Sequence, residues 1–265
     1  MKTVMTIAGS DPSAGAGIQA DLKTFAALGV YGTSVITAIT VQNTLGVFKV
    51  EALSPALVAS QIDAVVSDVG ADVVKTGMLA AAAIVDVVAA KLRQYGLTKV
   101  VVDPVLEAKS GIALLPVEGL TTFRERVLPQ SLVITPNVAE ASTLVGRPLD
   151  SWDDLRQAAR DIAEMGARNV VITGGHLEGP PTDLLFDGRQ FHEFVGPRVV
   201  TNNTHGTGCT FASAIAAALA KGSSVRQAVA TAKAYVTKAL QMSYPIGGGQ
   251  GPVHHFFRYW QDIRQ

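Results

Sequence analysis

Short runs rich in valine, isoleucine and threonine alternate with longer segments of helical period along the whole chain, and few folds accept that pattern. Candidate strands cover 3–8, 34–41, 47–52, 73–76, 100–103, 132–135 and 170–173, with helical segments at 18–28, 55–67, 80–94 and 155–165. Strand, helix, strand at this spacing implies βαβ units and a mostly parallel sheet. The strands are continuously apolar, as expected when helices cover both faces. Start signals agree: Ser54 precedes Pro55, an N-cap with proline at the first helical position, and Ser151 with Asp154 has a capping-box pattern. After Gly174 short strands at 184–186 and 191–194 flank Asp187-Gly188, a hairpin signal, and helices follow at 210–221 and 225–242. With no low-complexity linker and no repeat, the 265 residues read as a single α/β domain.

Charge narrows the partners. Lys plus Arg total 22 and Asp plus Glu total 22, so the chain lacks the basic excess that a nucleic-acid backbone attracts. The single cysteine, Cys209, excludes an internal disulfide and a four-cysteine zinc site. No apolar run approaches the ~20 residues of a membrane span. The apolar stretch at the N-terminus is too short for a secretory signal, so a soluble, cytoplasmic protein is expected.

Ligands of parallel sheets bind beyond the carboxyl ends of the strands. Here those ends carry Gly9-Ser10-Asp11, Gln42-Asn43, Lys75-Thr76-Gly77, Asp103-Pro104, Thr135-Pro136-Asn137 and Thr173-Gly174-Gly175-His176. The strongest local signal is Thr204-His205-Gly206-Thr207-Gly208-Cys209 before an alanine-rich helix. Glycines there let backbone N–H groups converge on an anion, and a thiol at that helix end is expected to have a lowered pKa. A buried structural cysteine after an ordinary glycine turn is the alternative. Gly15-Ala16-Gly17-Ile18-Gln19-Ala20 fits the dinucleotide fingerprint G-x-G-x-x-A, but no acid closes the second strand, and no Gly-Lys dipeptide exists for a P-loop. Asn137 and Glu140 suit either a capping box or, with Asp103, a hydrated Mg²⁺ beside phosphates. The adjacent His254 and His255 point apart on a helix and make a poor chelating pair.

Taken in order, these pieces resemble the hydroxymethylpyrimidine/phosphomethylpyrimidine kinases of thiamine biosynthesis, in the ribokinase-like superfamily. The resemblance runs through TIAGSDPSAGAGIQADLKTFAALGVYG at 6–32, QNT at 42–44, KTGML at 75–79, VVDPV at 101–105 and AKSG at 108–111. It continues through ITPNVAEA at 134–141, GGHLEG at 174–179, NTHGTGC at 203–209 and GPVHHF at 251–256. It implies a three-layer α/β/α fold and a homodimer. It also implies ATP-dependent phosphorylation of 4-amino-5-hydroxymethyl-2-methylpyrimidine, then of its monophosphate at the same site.

By the same resemblance Gly9, Asp21, Gln42, Met78 and Val105 form the pyrimidine pocket, with Asp21 and Gln42 pairing with the amino group and ring nitrogens. Gly206, Gly208 and Cys209 form the anion hole, with Cys209 beside the attacking hydroxyl as base or positioning group. Asn137, Thr173 and Thr207 contact ATP, while Glu140 and Asp103 organise Mg²⁺. A pyridoxal or pyridoxine kinase is the neighbouring alternative, since that vitamin is also a ring bearing a hydroxymethyl group. A non-catalytic pyrimidine-binding protein is the other. The sequence departs from the family where lysines are frequent, at Thr173 and Asn202, and also at Glu107 and Ile112. Two fewer cations near a triphosphate predict weaker ATP binding.

Overall fold

Alternate residues of an extended strand face opposite sides, so a continuously apolar strand needs cover on both. The computed structural model describes residues 1–107, 114–174 and 179–260. Ile112, the AKSG stretch and the centre of GGHLEG lie outside them, as does the His176 end of the strand-end list. The strands are β1 (Thr3–Ser10), β2 (Tyr31–Asn43), β3 (Gly46–Ala52), β4 (Val73–Thr76), β5 (Val100–Val102), β6 (Val133–Ile134), β7 (Val170–Ile172), β8 (Thr182–Phe186) and β9 (Phe191–Val195). They form one sheet in the order β3-β2-β1-β4-β5-β6-β7-β8-β9. It is parallel from β2 to β7 and antiparallel where β3, β8 and β9 complete its margins.

The helices are α1 (Gly17–Ala27), α2 (Pro55–Asp68), α3 (Ala82–Gln94), α4 (Val117–Arg126), α5 (Val138–Val145), α6 (Trp152–Glu164), α7 (Thr207–Ala220) and α8 (Val225–Gln241). On one face Met5, Ile7, Val74, Val100, Val102, Ile134, Val170 and Ile172 pack against α2 to α6, through residues such as Ile62, Val88, Phe123, Leu144 and Leu155. On the other, Val4, Val73, Val101, Val133 and Val171 meet Phe25 of α1, the alanines of α7 and Tyr235 of α8. Odd and even strand positions thus feed two separate cores, and the expected three-layer α/β/α sandwich results.

Local signals act as their chemistry requires. Ser54 accepts the Leu57 N–H with Pro55 at the first turn of α2, and Ser151 with Asp154 closes a full capping box on α6. Asp187 accepts the Arg189 and Gln190 N–H groups, which closes the β8–β9 hairpin. Two differences stand out. Helix α7 begins at Thr207, three residues before the expected start, because Gly206 adopts φ +78° as its N-cap and turns the glycine loop directly into helix. Helix α4 is not expected from the sequence: Gly119, two threonines and four charges hide its period, and it is held by Phe123 and Leu120 against the core. Among the described residues no helix is long and apolar enough to cross a membrane.

Candidate active site

The parallel strands deliver their carboxyl ends to one cavity of about 710 Å³, a volume usual for small-molecule sites. Its lining includes Gly9 near the end of β1 and Asp11 just after it, Gln42 at the end of β2, Met78 after β4, Asp103 and Val105 after β5, and Asn137 and Glu140 at the start of α5. Thr173 after β7 and the 204–209 segment before and within α7 complete it. Met78 packs with Ala38 and Leu114 in a small apolar cluster that Val105 joins, so one wall offers an apolar surface.

The floor is the start of α7. Gly206 can serve there only as glycine, since a side chain at φ +78° would run into the Gly15 carbonyl. Among the described residues no side chain caps this helix, no acid occupies its first turn, and no acceptor takes the N–H groups of Gly208 and Cys209. Unpaired N–H groups and the positive end of the helix dipole make this an anion-binding corner. The Thr207 hydroxyl donates to the Thr204 carbonyl at 2.7 Å, which braces the turn.

Cys209 is half-buried on the cavity floor. Burial pushes its thiol well up, and the Asp103 and Asp21 carboxylates add to this, outweighing the Lys75 ammonium and the Gly17 N–H. The expected acidic thiol is therefore corrected: a helix N-terminus lowers a thiol pKa only where solvent or cations also favour the thiolate.

Beneath the floor lies Lys75, which the sequence reading left without a role. It is fully buried, with Nζ 3.1 Å from Asp21 and 3.3 Å from Asp103. Burial alone would lower its pKa, but Asp21, Cys209 and Asp103 reverse this, so it stays cationic. Asp21 is the second correction. Its carboxylate is fully buried and taken by Thr6 at 2.6 Å, Ser213 at 2.6 Å and Lys75, and it does not line the cavity. Helix α1 packs flat on the sheet, so this acid points at the strand lysine and not at a ligand. A lysine inside the otherwise apolar β4 was the signal for such a partner.

Glu140 and Asn137 form the capping box of α5, with bonds of 2.8 and 2.9 Å. Burial, helped by the Asp103 charge and opposed by the Asn137 N–H, pushes the Glu140 carboxyl up to about 8. Asp103 Oδ2 is buried and accepts no hydrogen bond, with only its ion pair to Lys75 beside it among the described residues. Two carboxylates that repel one another beside an anion corner fit a divalent cation. No group of three or more candidate ligands occurs among the described residues, and Mg²⁺ typically needs one or two carboxylates with phosphates and water.

The family model for phosphomethylpyrimidine kinase matches residues 11–254. The chain belongs to the phosphomethylpyrimidine kinase family. It is 50% identical to a hydroxymethylpyrimidine/phosphomethylpyrimidine kinase of Bacillus subtilis, over 95% of this chain and 94% of that protein. It is 51% identical to a thiamine biosynthesis bifunctional protein of Geobacter sulfurreducens, over 99% of this chain but 54% of that longer protein. Among solved structures it resembles a Bacillus subtilis pyridoxal kinase determined with ADP, with TM-score 0.89 and 38% identity over 96% of this chain and 97% of that one. The fold of this kinase family member is thus ribokinase-like. Besides Lys75, the cavity region holds His205 Nε2 2.8 Å from Asp11 Oδ2. The sequence shows His205 only as part of the glycine motif before α7, because long-range pairing of a loop after β1 with one before α7 leaves no local trace.

Proposed function

We propose that this protein is an ATP-dependent kinase that phosphorylates the 5-hydroxymethyl group of 4-amino-5-hydroxymethyl-2-methylpyrimidine, then the resulting monophosphate, for thiamine biosynthesis. The observation that carries the mechanism is the uncapped start of α7, with Gly206, Gly208 and Cys209 on the floor of a cavity whose wall is apolar. The pyrimidine ring lies against Met78 and Val105 near Gly9, its polar edge on Gln42. Its hydroxyl reaches Cys209, whose protonated thiol positions the oxygen and does not ionise.

ATP supplies the phosphoryl group, with its phosphates along Asn137, Thr173 and Thr207. The N–H groups of Gly208 and Cys209 hold the equatorial oxygens, where charge spreads as the group transfers. Because that transition state is loose, the alcohol needs little activation, and its proton leaves late, to a phosphate oxygen or water. Glu140 and Asp103 would hold Mg²⁺, which supplies charge neutralisation to the phosphates when bound. In the second round a non-bridging phosphate oxygen of the monophosphate takes the place of the hydroxyl as nucleophile, the bond from the γ-phosphorus to ADP breaks, and the diphosphate results. Retention of Cys209, Glu140 and Asp103 supports catalysis over mere binding. A homodimer, formed through the exposed Ile39, Val41, Leu45 and Phe48 of the β2–β3 ribbon, and a cytoplasmic location complete the reading.

The likeness to a pyridoxal kinase gives the competing substrate. Coupled ADP release with ATP and Mg²⁺, run in parallel with hydroxymethylpyrimidine and pyridoxal, separates them. The expected result is a higher kcat/KM for the pyrimidine; a higher value for pyridoxal would move the protein to vitamin B6 chemistry.

A further inference from the structure

Asp11, Gln42 and His205 meet at one wall of the cavity, although they come from the loop after β1, the end of β2 and the turn before α7. His205 Nε2 stands 2.8 Å from Asp11 Oδ2 and 3.2 Å from the Gln42 side-chain nitrogen. The histidine is firmly seated: its backbone N–H donates to the Gly251 carbonyl at 3.0 Å, and a side chain on Gly15 would collide with its ring. Asp11 is seated too. Its Oδ1 accepts from Ser13 N–H and O–H at 2.8 and 2.7 Å, and its Oδ2 from the Gly15 and Ala16 N–H groups at 3.2 and 2.8 Å. Burial alone would raise the Asp11 carboxyl, but hydrogen bonds from His205, Ser13 and Ala16 hold it well below the usual carboxylate range.

An ionised carboxylate only accepts, so Nε2 carries a proton and donates to it. Such a charge-assisted bond is about twice as strong as a neutral one, so Asp11, and not Gln42, decides the histidine's tautomer. Two donors would then face each other across the 3.2 Å to the Gln42 nitrogen. A half-turn of the amide exchanges its oxygen and nitrogen and removes the conflict. The single Nε2–H is then shared in a three-centre bond, mainly with Asp11 and secondarily with the Gln42 oxygen, and the amide nitrogen donates to Thr40 Oγ1, 3.1 Å away, whose own proton goes to the Ser10 carbonyl at 3.0 Å. No two donors then face each other in the wall, and one amide N–H and one lone pair of the oxygen are left over for a ligand.

We propose that the Asp11–His205 pair is a positioning device that locks the Gln42 amide in this orientation, so that the cavity reads the ring edge of its substrate in one fixed order of donor and acceptor. The complement is an aminopyrimidine edge, a ring nitrogen that accepts beside an amino group that donates. A pyridine ring bearing a phenolic oxygen lacks that pair and gains nothing from the lock. His205 acts through Gln42 and touches no reacting atom. The inference rests on the pyrimidine reading above and adds the origin of its selectivity.

A double-mutant cycle on the full chain tests it, with His205→Phe, Gln42→Ala and their combination assayed at saturating ATP on hydroxymethylpyrimidine and on pyridoxal. His205→Phe should raise the KM for the pyrimidine about tenfold or more, with kcat and the KM for ATP within about threefold. It should add less than about twofold once Gln42 is alanine, because an effect routed through Gln42 vanishes with it. Pyridoxal kinetics should move little. His205→Gln, which keeps a donor and serves if the phenylalanine variant misfolds, should recover most of the selectivity, and Asp11→Asn should lose it. Multiplicative effects of His205→Phe and Gln42→Ala, or equal losses for both alcohols, overturn the positioning role alone. A wild-type protein that does not phosphorylate the pyrimidine overturns the functional reading, and this inference with it, by a different readout.

Discussion

Cys209 shows how one residue's neighbours outweigh its position. A thiol at an uncapped helix start would ordinarily be acidic, yet enclosure and the Asp103 and Asp21 charges push it upward. It therefore positions the alcohol, and Cys209→Ala should lower kcat about 10- to 100-fold with a smaller rise in the pyrimidine KM. The kcat–pH profile of the wild type should show no thiol ionisation; a limb that disappears in the alanine variant would make Cys209 the base. Lys75 holds the carboxylates below it together. Lys75→Met leaves Asp21 and Asp103 unpaired and should cost about 3–5 kcal/mol in denaturant unfolding. Thr173→Lys restores a cation beside the phosphates and should tighten ATP several-fold in a binding titration, each such bond being worth about 1–3 kcal/mol. At this scale the sequence identified most of the cavity lining but misassigned Asp21. Which way a buried carboxylate points depends on the strand it packs against, and no local pattern encodes that.

Helix α7 carries the site, and its composition explains how. Ala212, Ala214, Ala216 and Ala217 are fully buried, so small side chains let the helix lie close to the sheet with its N-terminus at the cavity floor. Ala216→Leu should overpack that seam and cost about 1–3 kcal/mol by thermal or denaturant unfolding, with kcat falling as the floor shifts. The C-terminal segment braces the same helix: His255 Nε2 meets Thr210 Oγ1 at 3.1 Å, and the Tyr235 hydroxyl donates to the His255 carbonyl at 2.6 Å. Burial, with the Lys23 and His254 charges, pulls the His255 pKa from 6.5 to about 3. Below pH 6.5 the unfolded chain binds a proton that the native state refuses, so stability falls with pH until about pH 3. Between pH 7 and 5 this should remove about 2 kcal/mol, and His255→Asn should flatten that slope in pH-dependent urea unfolding. The alanine-rich run and its glycines announced α7. Its start at Thr207 is hidden, because the left-handed Gly206 cap packs so close to the Gly15 carbonyl, far away in sequence, that only glycine fits there.

The whole molecule was the most legible level. Continuously apolar strands alternating with helical segments dictate a covered parallel sheet, and the sheet's strand ends gather the polar residues without further instruction. Assembly is less legible, because it depends on which apolar surface stays uncovered. The β2–β3 ribbon leaves Ile39, Val41, Leu45 and Phe48 exposed at the sheet margin. Phe48→Glu combined with Ile39→Glu should halve the mass seen by light scattering; an unchanged mass would remove the ribbon from the proposed dimer. In the proposed mechanism one cavity performs both phosphoryl transfers. The most direct test follows limiting hydroxymethylpyrimidine with ATP and Mg²⁺ by time-resolved mass spectrometry, in the wild type and in Cys209→Ala. Monophosphate should rise and then give way to diphosphate in the wild type, with both steps slowed together in the variant. A variant that loses the first step but converts added monophosphate at the wild-type rate would contradict a shared site.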